Sequence, residues 1–162
     1  MNCFVNSGSL FANYKYYEVV GTKLDEKRIK LQQEYTRRAE GLQTQIEDYQ
    51  RTLTNLTIAQ ARAVEEDLGR KSQNLRQYQE TITQELLKQE AAITQELYNK
   101  IATFLKSYGD ANNLQVVLTY SQGSNLLYAN ESLNITGDVI EGLNILYDEG
   151  LDAVETDTSL VN

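Results

Sequence analysis

The chain has 162 residues, a formal net charge of −8 at pH 7, one cysteine, no histidine and no proline. Binding of nucleic acid requires a stripe of Lys and Arg against the phosphates, so this acidic balance argues against a nucleic-acid partner. There is no run of about 18 apolar residues, so we expect no transmembrane helix and no stable membrane insertion. The single Cys3 excludes an internal disulfide.

Residues 1–20 are predicted to form a short strand followed by a short helix. Phe4 to Asn6 is β-prone, Ser7 to Ser9 has the composition of a turn, and Ser9 is placed to cap a helix that begins at Leu10. Gly21 and Thr22 interrupt the helical pattern. We therefore expect the first long helix to be kinked or broken near Gly21.

Residues 21–107 are predicted to form an antiparallel coiled-coil hairpin. The stretch from Thr22 to Ser107 has only two glycines and balances 14 basic against 13 acidic side chains. Its apolar residues recur at alternating steps of three and four, which is the spacing of a coiled-coil seam. The seam positions are Leu24, Leu31, Tyr35, Ala39, Leu42, Ile46, Tyr49, Leu53 and Leu56, then Val64, Leu68, Leu75, Tyr78, Ile82, Leu86, Ile93, Leu97, Ile101 and Phe104.

The hairpin requires a turn, which we place near residues 55–57. Asn55 and Thr57 are poor helix formers, and Thr57 and Gln60 have the spacing of a capping box. The alternative is one uninterrupted helix of 86 residues, which would be ~130 Å long. No globular segment of this chain is large enough to cover such a rod, so the hairpin is favoured.

Residues 108–148 are predicted to return to the small body formed by the chain ends. Gly109 suits the left-handed position that ends a helix. Leu114–Tyr120 and Leu126–Ala129 are predicted to pair as an antiparallel β-hairpin, followed by a short helix from Gly137 to Asp148 with Thr136 as its cap. Residues 149–162 are acidic and polar and are expected to be a disordered tail. The fold class is therefore α+β, with a long helical hairpin on a small β body.

Catalytic chemistry is not evident in this sequence. Without histidine, with one cysteine and without a phosphate-binding glycine loop, the chain offers no nucleophile–base pair and no metal-ligand cluster. We expect no enzyme activity, no cofactor and no metal. Once catalysis is set aside, we expect the long amphipathic hairpin to function by binding other polypeptide chains.

The two chain ends resemble the Skp/OmpH family of periplasmic chaperones. The resemblance lies in Phe4–Tyr14 and in Asn112–Tyr120, followed by Gly123–Leu133 and Ile135–Asn144. It implies a periplasmic homotrimer in which the chain ends build a β body. Three hairpins would then project as tentacles and hold unfolded outer-membrane or exported polypeptides without ATP. No signal peptide is evident, so Met1 would be a start placed on the mature sequence.

Two groups of residues follow from this interpretation. The oligomer interface is predicted at Phe4, Val5, Val117, Leu118, Leu127 and Tyr128, because an isolated two-stranded ribbon is marginally stable and leaves edges exposed. Client binding is predicted near the tip, at Leu53, Leu56 and Ile58. The simpler alternative is that these three residues only close the coiled coil.

Gly41 and Gly69 form a third predicted feature, a hinge. If the turn is centred near Leu56, Gly41 faces roughly position 71 and Gly69 lies at nearly the same height. Each glycine weakens a helix by about 1 kcal/mol relative to alanine. The two glycines would let the hairpin bend, unless they are merely tolerated surface positions.

A second function remains open at this point. Instead of a holdase that touches many unfolded chains weakly, the hairpin could serve as a coiled-coil adaptor that docks one defined partner. The two functions can be told apart by an aggregation assay with several unrelated unfolded β-barrel proteins. A holdase should suppress their aggregation, whereas an adaptor should ignore most of them.

Overall fold

The computed structural model describes residues 1–151, so most of the predicted acidic tail, 149–162, lies outside the described residues. Its elements are β1 (Asn2–Asn6), α1 (Ser7–Asn13), α2 (Lys15–Thr52), a 3-10 turn (Leu53–Asn55), α3 (Ile58–Ala111), β2 (Val116–Tyr120), a second 3-10 turn (Glu131–Leu133) and α4 (Thr136–Asp148). The fold is mostly helical with one two-stranded sheet. The chain forms two compact units, residues 23–91 and residues 1–22 together with the chain from residue 92 onward.

Residues 23–91 form the predicted antiparallel hairpin. Bonds between its two arms join Lys27 to Glu85 at 3.5 Å and Tyr49 to Glu65 at 2.6 Å. At the turn, the Gln60 amide donates to the Thr57 hydroxyl at 3.2 Å, and the Thr57 amide donates to the Gln60 side chain at 2.9 Å. The capping box and the hairpin are both confirmed, since a single uninterrupted helix would place none of these groups together.

The seam of the hairpin is only partly shielded from water. From Leu24 to Tyr49 and from Val64 to Leu86, every apolar seam residue is half-buried, and no residue between Lys23 and Ala91 is fully buried. Polar side chains also join the arms, as Lys71 donates to Gln45 at 2.7 Å and Tyr35 donates to Gln79 at 3.4 Å. The predicted periodicity is correct, but the seam it forms between residues 23 and 91 leaves its apolar side chains partly exposed to solvent.

The break in the first long helix lies at Tyr14, so the prediction of a kink near Gly21 is wrong. Tyr14 is extended and buried, while α2 runs through Gly21 without interruption. The Asn144 side chain bridges the break. It accepts from the amide of Lys15 at 2.9 Å and donates to the carbonyl of Asn13 at 2.9 Å. These two bonds satisfy backbone groups that the interrupted helix leaves open.

The predicted first cap is also misplaced. Asn6, and not Ser9, caps α1, because its side chain accepts from the amide of Ser9 at 3.1 Å. The helix therefore begins three residues earlier than the sequence indicates, at Ser7. The strand β1 passes directly into it.

The end of α3 differs as well. The helix continues past Ser107 and Gly109 to Ala111, and Asn113 adopts the left-handed conformation with φ 54°. Asn is one of the few residues besides glycine that tolerates this region. Gly109 is instead a buried helical position next to the side chain of Leu114.

The sheet is parallel and joins the two ends of the chain. Strand β1 pairs with β2 in the register Cys3 to Val117 and Phe4 to Leu118. The predicted antiparallel pairing with Leu126–Ala129 is wrong, because that segment is not a strand. On its other side, β1 accepts a bond from the amide of Ile135 at 3.0 Å, so β1 is enclosed between two segments from the second half of the chain.

The core of the body forms between β1, α1, α3 and α4. Its buried members are Cys3, Val5, Leu10, Tyr14, Leu97, Ile135, Val139 and Leu143. Thr136, predicted as the cap of α4, is the first residue of that helix and is buried. Its hydroxyl accepts from the amide of Asn6 at 2.8 Å and donates to Asn134 at 2.5 Å, which ties β1 to the start of α4.

Candidate functional site

The predicted tip residues differ in exposure. Ile58 is 85% exposed and Leu53 is 44% exposed, whereas Leu56 is half-buried. The capping box fixes the backbone on which these side chains stand. An open groove of about 440 Å³ beside Ile58 is lined also by Ala59, Arg62, Ala63 and Glu66. The tip thus presents apolar side chains to solvent on an ordered turn.

The two glycines lie on the exposed surface of the hairpin. A Cβ atom added at Gly41 or at Gly69 would meet nothing within 4 Å. Gly41 shares a groove with Lys71 of the other arm, which agrees with the register expected from the position of the turn. A hinge role for the glycines stays a prediction.

Most of the ion pairs along the arms join side chains one helical turn apart. Glu34 accepts from Arg38, and this bond holds the pKa of Glu34 below its ordinary value. Asp67 accepts from Lys71 at 2.8 Å and from Arg70 at 2.5 Å, which lowers the pKa of Asp67 in the same way. These pairs are exposed, so each contributes little to stability.

Aromatic side chains help to join the arms. The Arg38 guanidinium lies 4.0 Å from the centre of the Tyr78 ring on the opposite arm. Partial desolvation is the main reason why the pKa of Tyr78 is raised. The Tyr49 hydroxyl donates to Glu65 across the arms, and that bond raises the pKa of Tyr49. The hairpin is therefore held by a mixture of polar and aromatic contacts.

The two faces of the sheet have different roles. Cys3, Val5 and Val117 pack towards the core of their own chain, so Val5 and Val117 already have partners there. On the opposite face, Leu118 is 45% exposed and its neighbour Phe4 is buried. Val116 and Tyr120 were not among the predicted interface residues, yet both are exposed apolar side chains on this outer face. Strict alternation along β2 is the signal that would have found them.

The loop after β2 adds to this apolar surface. Leu127 is 94% exposed and Tyr128 is 80% exposed. Both line a cavity of about 250 Å³ together with Phe4, Asn6, Tyr120, Ala129, Glu131 and Asn134. We call the outer sheet face with Leu127 and Tyr128 the apolar body patch.

Neither a metal cluster nor a membrane-spanning helix occurs in the described residues. Between residues 1 and 151 there is no group of three or more His, Cys, Asp or Glu side chains that could hold a metal ion. Within that same range, none of the helices combines the length and the apolar character needed to cross a membrane.

The fold is that of a helical-hairpin protein. It has two long antiparallel helices joined by a capped turn, and its chain ends form a small body of helices and one sheet. The model of the OmpH-like outer membrane protein family matches residues 2–143, and the chain belongs to this family.

A solved structure has the same fold. It is that of a candidate outer membrane chaperone (OmpH-like) from Caulobacter crescentus CB15, with a TM-score of 0.80 at 16% sequence identity. The alignment covers 89% of this chain and 83% of that chain. No curated protein is significantly similar in sequence. Family membership supports a chaperone role.

Proposed function

We propose that the protein is an ATP-independent holdase in the periplasm that keeps unfolded outer-membrane or exported polypeptides from aggregating. The observation that carries the proposal is the hairpin between Lys23 and Ala91, in which apolar side chains recur along both arms and none is fully buried. Such a surface can contact many sequences weakly without a deep specific pocket. The capped tip, with Ile58 exposed, extends that surface to its end.

We further propose that the chain acts as a homotrimer assembled through the apolar body patch. Both edges of β1 are covered within one chain. The outer face of the sheet is not, because three apolar side chains of β2 are exposed there: Val116, Leu118 and Tyr120. An exposed patch of this kind commonly marks a contact with other chains. Three copies would bring their hairpins around one shared space, with room for a client between them.

The holdase activity is tested by light scattering of several unrelated unfolded β-barrel proteins diluted from denaturant. The parent protein should suppress their aggregation without ATP. Replacing Leu56 and Ile58 with Ser should weaken the suppression, because apolar contact area at the tip is lost. Ile145→Ser is the control, since Ile145 is also an exposed apolar residue but lies on α4, outside the hairpin. Equal suppression by the tip variant and the control would contradict a client role for the tip.

Assembly is tested by multi-angle light scattering of the parent and of Leu118→Lys with Leu127→Lys. A charge on each of these exposed positions should dissociate the trimer, because charged groups are costly to bury in an apolar interface. Ile145→Lys places the same charge on an exposed apolar position of α4 and should leave the mass unchanged. A parent of monomer mass, or a trimer that withstands both lysines, would rule out this interface.

The alternative of an adaptor is favoured by one observation, the ordered groove at the tip beside Ile58. An adaptor would bind one partner tightly and would ignore most unfolded clients. The aggregation assay therefore decides between the two functions, because only a holdase protects several unrelated proteins.

We also propose that Gly41 and Gly69 let the hairpin adapt to clients of different size. Neither glycine is packed against a neighbour, so alanine fits at both positions and removes backbone freedom. Distances between spin labels on the two arms should spread less in Gly41→Ala with Gly69→Ala than in the parent. An unchanged spread would show that the glycines do not act as a hinge.

A further inference from the structure

The hairpin contains a groove between its two arms that the seam pattern does not explain. The groove has a volume of about 310 Å³ and is lined by Arg38, Gly41, Leu42, Gln45, Lys71, Asn74 and Leu75. Gly41 lines the groove without a side chain, and a Cβ atom added there would have no neighbour within 4 Å. Its size lies at the lower end of the range of about 300–1,000 Å³ that is usual for small-ligand sites.

The groove has apolar walls. Leu42 and Leu75 are seam residues from opposite arms, and both are half-buried. Both line the groove, so part of the surface of each leucine is open to it. An apolar side chain placed between them would shield this surface from water.

The rim of the groove is rich in hydrogen-bond donors. Arg38 donates to Glu34 through Nε and Nη2, which leaves its Nη1 group available. Lys71 donates to Gln45 at 2.7 Å and to Asp67 at 2.8 Å, which leaves one of its three protons. No Asp or Glu lines the groove itself. Each cation is paired with an acid of its own helix that lies outside the groove lining, and the N–H groups that remain can still donate to a carboxylate.

We infer that this groove is a subsite for unfolded polypeptide segments in which an apolar side chain stands next to an acidic residue. The apolar side chain lies between Leu42 and Leu75, and the neighbouring carboxylate accepts from Arg38 and Lys71. The inference rests on the proposed holdase function and specifies the client segments that the hairpin prefers.

The first experiment measures binding of short peptides to the full-length protein by fluorescence anisotropy. The probe is the peptide Gly-Ser-Phe-Asp-Gly-Ser with an uncharged dye on its N terminus and an amide at its C terminus, so that its Asp carries the only carboxylate. Peptides with Asn for Asp, or with Ser for Phe, should each bind about tenfold more weakly. Equal binding of the Asp and Asn peptides, or no binding of the Phe-Asp peptide, overturns the inference.

The second experiment fills the groove. Gly41→Leu places an aliphatic side chain where the client side chain would lie, and it should weaken binding of the Phe-Asp peptide at least about tenfold. Gly69→Leu is the matched control, because Gly69 also has no neighbour within 4 Å but does not line the groove. Both changes favour the helix, so a loss of helicity measured by circular dichroism is not expected. If Gly69→Leu weakens binding as much as Gly41→Leu, stiffening and not filling is the cause, and the inference fails.

The same preparations separate this inference from the proposed function. If the parent suppresses aggregation but binds the Phe-Asp peptide no better than the Asn peptide, the subsite is wrong and the holdase stands. If the peptides behave as expected but no client is protected, the subsite stands as a peptide site and the holdase is wrong. Light scattering of Gly41→Leu should give the mass of the parent. A changed mass would mean that another copy of the chain occupies the groove, which would overturn the inference.

Discussion

Gly142 is the position where a single methyl group should most clearly test the packing of the body. Gly142 lies inside α4, and a Cβ atom built there would come closer than 3.0 Å to the ring of Phe104 on α3. The absence of a side chain therefore lets the α4 backbone approach the ring. We expect Gly142→Ala to destabilise the protein, although alanine is normally the better residue in a helix.

The expected size of the effect follows from two opposing contributions. Replacing an interior helical glycine with alanine stabilises a helix by about 1 kcal/mol. Overpacking a well-filled site costs about 1–3 kcal/mol, because the ring or the helix must shift. The net loss in free energy of unfolding should be roughly 0–2 kcal/mol. Gly137, in the first turn of the same helix, has no neighbour within 4 Å, so Gly137→Ala should be neutral or stabilising.

The assay is urea unfolding followed by circular dichroism at one fixed protein concentration, since association shifts apparent stability. The double variant Phe104→Leu with Gly142→Ala tests the cause directly. If the ring is the obstacle, Gly142→Ala should cost less in the background of the Phe104→Leu variant than in the parent. A Gly142→Ala variant stabilised as much as Gly137→Ala would refute the argument for close packing.

Two further predictions concern a cap and a pKa. Thr57→Ala removes the hydroxyl that accepts from the Gln60 amide and should lower the free energy of unfolding, measured by urea titration, by about 1 kcal/mol. Thr54→Ala on the same turn should change the free energy of unfolding little. Equal effects of the two substitutions would show that the cap is not the cause. The Tyr108 hydroxyl donates to Asp138 at 2.8 Å, and this bond raises the pKa of Tyr108. A pKa that is raised in the folded state adds stability below the ordinary tyrosine pKa of 10.0, and this stability is lost as the pH rises through the folded value. Tyr108→Phe should therefore be less stable than the parent at pH 7, and the difference in free energy of unfolding should shrink above about pH 10. A difference that does not change with pH would contradict this.

The hairpin can be predicted from the amino-acid sequence because the rules that specify its helices and its turn are local. Helix propensity, the spacing of apolar residues and the Thr57–Gln60 box act within one or two turns of chain. They predicted the two arms, the turn and the register in which Gly41 faces Lys71. That the two chain ends share one body was implied by their resemblance to a known family, and in the structure β1 pairs with β2. The place of Leu53, Leu56 and Ile58 at the tip follows from the position of the turn, but their different exposure does not.

The assembly of that body could not be predicted in the same way, because its contacts join residues far apart in the sequence. Leu126–Ala129 has the composition of a strand, yet β2 pairs in parallel with β1, more than a hundred residues away. The break at Tyr14 depends on the side chain of Asn144, which local rules applied to residues 13–15 do not consider. In the same way, the groove at Gly41 needs both arms to be in place before its leucines and donors meet. Local interactions determine which segments form helices and turns. Burial and hydrogen bonds between distant residues determine which of these segments pair and pack together.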